Sequence, residues 1–144
     1  MRALQVLWVA GLCSCGSAGA PGLDVGAGSP EELGASLNVR VMGDSVRLEV
    51  HVTNVAGSPV ALEFDTTQRY DFEISRAGGE RIWRWSDGMM FGQATGREVL
   101  QPGGSLRYVA SWSGRGQEGD FVATARVVSD NYPVELRTGF RLPE

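Results

Sequence analysis

Few residues in this chain could carry covalent chemistry, and that shortage narrows its function before any element is placed. There is one histidine, His51, and there are two cysteines, Cys13 and Cys15. A base near neutral pH works only beside a nucleophile or a bound substrate, and no nucleophile motif accompanies His51. The two cysteines are separated by one residue, too close to bridge each other, and no third cysteine exists. Asp65, Asp71, Asp87 and Asp120 are scattered without the spacing of a calcium loop. Gly78-Gly79 and Gly103-Gly104 lie in turns between strand-like runs, not in a phosphate-binding loop. The inventory argues against catalysis and calls for no metal and no cofactor. What remains is recognition of another protein.

Asp87-Gly88-Met89-Met90-Phe91 is the segment suited to that. A connection between strands is ordinarily polar, and this one closes on three large apolar residues. An inhibitor that mimics substrate needs an exposed, rigid segment whose side chain fills a protease's primary pocket. Asp87-Gly88 would turn the chain and present Met89-Met90-Phe91, with Trp83 and Trp85 bracing the loop from below. Two readings stay open: a contact surface, or a fold-back in which Phe91 and one Met cap an end of the domain. The absence of a disulfide leaves the loop without a covalent stiffener. Trp83 and Trp85 are spaced as core aromatics are, and Tyr132-Pro133 is a second aromatic candidate at a turn.

The elements that position this segment are strands. Tyr70, Phe72 and Ile74 alternate with Asp71, Glu73 and Ser75, the period of a half-buried strand. Ala77-Gly78-Gly79 reverses the chain, and Arg81–Ser86 returns with Trp83 and Trp85 on one face. Arg84 is placed to pair with Asp71 or Glu73. Leu37, Val39 and Val41 alternate before the turn Met42-Gly43-Asp44. Val46, Leu48, Val50 and Val52 form the cleanest apolar face, which puts His51 on the polar one. Asn54, a type that tolerates left-handed backbone, opens the loop to Pro59. Val60–Phe64 and Arg97–Leu100 are short strands. Leu106–Trp112, Phe121–Val127 and Val134–Phe140 complete the pattern. About eight or nine strands with no amphipathic helix mean an all-β domain, best read as an antiparallel β-sandwich with immunoglobulin-like architecture.

Residues 1–20 read as an export signal: Arg2, an apolar run from Ala3 to Leu12, and Leu12-Cys13-Ser14-Cys15 resembling a bacterial lipobox. Cys15 is then the lipidation candidate and the only route to a membrane. Cleavage after Ala18-Gly19-Ala20 is the alternative, and both cysteines are then ordinary signal residues. Residues 21–35 form a Gly/Ala/Pro-rich tether, and the folded domain spans 36–144. A net charge of −4 and a pI near 5.0 argue against nucleic acid as a partner, which would need a basic face.

These pieces together resemble the BsuPI-type intracellular proteinase inhibitors. The likeness rests on Asn54 with Gly57 and Pro59-Val60, Leu62 and Phe64, Tyr70-Asp71-Phe72, Trp83-Arg84-Trp85-Ser86, Phe91, Leu100 with Pro102-Gly103, and Ser105-Leu106 with Trp112. It implies an all-β, immunoglobulin-like sandwich and inhibition of subtilisin-type serine proteinases, a protein partner acting on no cofactor. It transfers no contact residue position by position. The family name implies an intracellular role, where the leader implies export. The alternative is a non-inhibitory immunoglobulin-like binding or scaffold module of the bacterial cell envelope.

Overall fold

The computed structural model describes residues 31–143. The expected leader over 1–20, with Cys15, and the tether as far as residue 30 lie outside the described residues. Nine strands follow in order: β1 (Leu33–Met42), β2 (Ser45–Asn54), β3 (Val60–Phe64), β4 (Tyr70–Arg76), β5 (Arg81–Arg84), β6 (Gly96–Leu100), β7 (Ser105–Ser113), β8 (Gly119–Val127) and β9 (Val134–Leu142). Among the described residues there is no helix. Every pairing is antiparallel. One sheet runs β1-β2-β7, another β5-β4-β8-β9, and β3 pairs with β6 alone. The all-β sandwich expected from the sequence is what the chain forms.

Register follows from the apolar alternation. Val46, Leu48, Val50 and Val52 are wholly buried on β2, while Arg47, Glu49, His51 and Thr53 keep partial exposure on its other face. Each buried side chain contributes about 2 kcal/mol, and a one-residue slip would expose all four together. Met42 pairs with Ser45, leaving Gly43-Asp44 as a two-residue hairpin loop; Gly43 has φ +59°, the conformation such a turn demands. Phe72 and Ile74 on β4, Phe121, Ala123, Ala125 and Val127 on β8, and Val60, Leu62 and Phe64 on β3 complete the same apolar cluster. Aromatic pairs join the layers at two levels. Trp112 of β7 meets Phe121 of β8 edge to face at 5.8 Å, and Tyr108 of β7 stacks on Tyr70 of β4 at 4.6 Å.

Two expectations need correction. The folded part begins at Leu33, not Ser36, because Leu33, Gly34 and Ala35 pair with Asn54, Thr53 and Val52. Small residues carry no alternation of their own; β2 supplies the template. Asn54 is not a left-handed loop residue, since only glycines have positive φ among the described residues. It is buried instead. Its Nδ2 donates to the carbonyls of Ser58 (2.8 Å) and Leu100 (2.9 Å), and its Oδ1 accepts from the Ala56 N–H (2.8 Å). Its backbone also exchanges hydrogen bonds with Gly103 and Gly104. One side chain thus ties together the ends of β2 and β6 and the loops between strands.

Candidate functional site

The candidate loop is delivered by the β4–β5 hairpin. Gly79 N–H bonds the Arg76 carbonyl at 2.8 Å, and Gly79 takes φ +95°, which lets the chain reverse. Trp83 then lies opposite Ile74 and Arg84 opposite Glu73, with the register shifting between Ile74 and Ser75 as the strands twist. Trp85 N–H continues the pairing to the Phe72 carbonyl at 2.8 Å. Trp83 and Trp85 therefore share the side of the hairpin that faces the core, both half-buried.

On the opposite side stands Asp71, with no exposure at all. Its position on β4 is a polar one, and what buries it is the chain folding back over it. Arg84 Nε donates to Oδ2 at 2.6 Å, the Ser86 hydroxyl to the same oxygen at 2.8 Å, and the Ser86 N–H to Oδ1 at 3.2 Å. A buried carboxylate is tolerated only when charged and neutral donors satisfy its oxygens together, and here they do. The carboxylate in turn raises the Arg84 guanidinium above its ordinary range. The Arg84–Asp71 pair was one of two expected from the sequence; the role of Ser86 was not.

Two consecutive turns follow, Asp87 N–H to the Arg84 carbonyl (3.2 Å) and Met89 N–H to the Ser86 carbonyl (3.0 Å). Gly88 sits at φ +78° between them, so a side chain there would be strained. Asp87 and Gly88 are exposed, Met89 is 45% exposed and Met90 97%. Phe91 turns inward and meets Trp85 at 6.0 Å; Trp85 lies 4.2 Å from Tyr70, which stacks on Tyr108. Burial pushes the Tyr108 phenol up to about 12, so this tier stays uncharged at any ordinary pH. The two open readings of the loop thus divide by residue: Phe91 caps, and the methionines project.

The far end of the loop is tied as well. Gly92 N–H donates to Thr67 Oγ1 at 2.8 Å, and Thr67 N–H to the Gly92 carbonyl at 2.9 Å. The crossing that carries Thr67 is braced by Arg69, which donates to the Thr66 carbonyl at 2.7 Å and lies over the Phe64 ring at 4.4 Å. No sequence signal marked Thr67, because its partner is a backbone group 25 residues away. Trp83 is not one of the stacked rings, so Trp85 alone of the two braces Phe91.

The remaining candidates lie elsewhere. His51 is on the outer face of β2, 2.6 Å from Glu49, which Arg107 and His51 together hold down at about 2. Tyr132 is half-buried and donates to Glu32 at 2.6 Å, tying the β8–β9 connection to the start of β1. Among the described residues no group of three His, Cys, Asp or Glu side chains could hold a metal ion.

A family model described as BsuPI, intracellular proteinase inhibitor, matches residues 33–132. No curated protein matches the chain at a significant level. Solved structures are similar at low identity. β-Glucosidase 3B from Thermotoga neapolitana in complex with α-D-glucose is 17% identical over 78% of this chain and 16% of its own, with a TM-score of 0.45. The putative ApaA protein from Bordetella pertussis is 19% identical over 80% of this chain and 95% of its own, with a TM-score of 0.46. A β-glucosidase from Listeria innocua is 8% identical, covering 78% and 16%, with a TM-score of 0.41. This chain spans 16% of each of those two glucosidases, and likeness at this level transfers no activity.

Proposed function

The chain belongs to the BsuPI family of proteinase inhibitors, and from that premise we propose that it inhibits a subtilisin-type serine protease through the Asp87–Phe91 loop. The observation that carries this reading is a contrast between Ser86 and Gly92: Met90 projects almost free of the domain while the chain on both sides of it is tied down. Affinity at a protease cleft depends on a side chain that enters the primary pocket and on a backbone that does not have to be ordered when it binds. Met90 supplies an unbranched apolar side chain for a broad, uncharged pocket. The Asp71–Ser86 and Thr67–Gly92 bonds supply the stiffness that a disulfide would otherwise provide. No covalent step is needed, and the protein acts by occupying the cleft. The leader motif adds the proposal that it does so after export, anchored where Cys15 is lipidated.

The test is a titration of the purified protein against a subtilisin-type and a chymotrypsin-type protease, with the intact mass of the protein followed in parallel. Stoichiometric inhibition is expected, with the chain whole or nicked only beside Met90. Met89→Ser with Met90→Ser should abolish it while the thermal unfolding midpoint stays in place. Unchanged inhibition by that folded variant would remove the loop from the contact. A folded parent protein that inhibits neither enzyme would leave the non-inhibitory binding module as the function.

A further inference from the structure

Met90 has a property that a leucine or phenylalanine at the same place would lack. Its thioether sulfur is open to two-electron oxidants, and susceptibility of methionine follows access. Met42, Met89 and Met90 are the sulfur-bearing residues of the described part of the chain. Met42 is 53% exposed on β1 and Met89 45%, against 97% for Met90. No thiol among the described residues competes for the oxidant.

We propose that Met90 is a site of reversible oxidation, and that forming its sulfoxide switches the loop off as a protease-binding surface. This rests on the loop being the contact. With hydrogen peroxide as oxidant, a sulfur lone pair attacks one peroxide oxygen, the S–O bond forms and the O–O bond breaks. The departing hydroxide takes up the proton released from the transferred oxygen and leaves as water. Sulfur loses two electrons and peroxide gains them. The product is a chiral, polar group with a strong acceptor oxygen. In an apolar pocket that oxygen finds no donor, and burying it unpaired weakens binding about 10- to 100-fold. The domain itself is indifferent, because Met90 packs against nothing in the core and the bonds of Ser86 and Gly92 do not involve it. The methionine sulfoxide reductases restore the thioether, so the loss is reversible.

The experiment oxidises the full-length protein with hydrogen peroxide, removes the peroxide with catalase before any protease is added, and follows each methionine by peptide mass spectrometry. Met90 should gain its oxygen first, inhibition should fall about 10- to 100-fold in step with that residue alone, and treatment with both stereospecific reductases should bring it back. Whatever inhibition Met90→Leu retains should no longer respond to peroxide. Met42→Leu should respond as the parent does. The proposal is overturned if Met90 reacts no faster than Met42, if the Met90 sulfoxide form inhibits as well as the untreated protein, or if Met90→Leu stays peroxide-sensitive. Should the untreated protein not inhibit, the functional reading fails and the switch with it, whereas the order of oxidation still decides whether Met90 is the preferred site.

Discussion

Asn54 and Asp71 are both polar side chains with essentially no exposure, and each holds three hydrogen bonds. They differ in what they hold. Asn54 is neutral, its three partners are all backbone groups, and the loops it gathers stay close to the sandwich. Asp71 is a carboxylate, its partners include a half-exposed guanidinium, and the segment it fixes carries Met90 out into solvent. A neutral clasp closes an end of the domain. A charged clasp, satisfied partly from outside, can hold a segment in place while leaving it displayed. The difference separates stability from presentation within one small fold.

Substitutions can break that separation or sharpen it. The largest effect is expected for Asn54→Ala, which strands the buried Leu100 carbonyl and takes the partner from the Ser58 carbonyl and the Ala56 N–H at the margin of the core. We expect a loss of about 3 kcal/mol in chemical denaturation, with inhibition per folded molecule unchanged. Asp71→Asn comes next, at about 2 kcal/mol, because a neutral amide cannot accept from Arg84 as the carboxylate does. Here inhibition should fall with stability, and hydrogen exchange at Ser86 and Met89 should quicken. If Asp71→Asn loses stability and keeps full inhibition, the two clasps are alike in kind. Thr67→Val removes the acceptor of the Gly92 N–H at an exposed site and should cost only about 0.5–1 kcal/mol, yet it should weaken inhibition more than its stability loss implies, since it frees the far end of the loop. The smallest effect lies on a face that neither clasp touches. Glu49 is held at about 2 against an ordinary value of 4.5, first by its bond from Arg107. A depressed carboxylate stabilises fully above its unfolded value and loses that contribution as pH falls from about 4.5 toward 2. Arg107→Ala should therefore lower stability slightly at neutral pH, leave it unchanged near pH 2, and so flatten the acid limb between the two.

How far the sequence could be read depended on where each residue finds its cover. Val46, Leu48, Val50 and Val52 announce their burial because strand periodicity is a local property, and the same holds for Phe121 through Val127. Asp71 sits at a polar position between Tyr70 and Phe72, so local alternation turns it outward. It is buried by Ser86, 15 residues on. Asn54 has the composition of a loop opener, and its partner Leu100 is 46 residues away. Leu33-Gly34-Ala35 looks like tether because its strand character comes from β2. In the loop, three consecutive apolar residues could not show which of them turns inward; that was decided by Trp85 meeting Phe91.

The two clasps differ also in how far the chain must travel to close them. Asp71 reaches Arg84 and Ser86 across 13 and 15 residues, and Asn54 reaches Leu100 across 46. The longer closure carries an entropy cost greater by about 1 kcal/mol, and distant pairings are the slow part of assembling an all-β chain. On loop-closure grounds the hairpin with its displayed loop is expected to close before the knot at Asn54. A half-assembled copy would already offer Met90 while its far strands were still open, and to a protease that copy is food rather than an inhibitor.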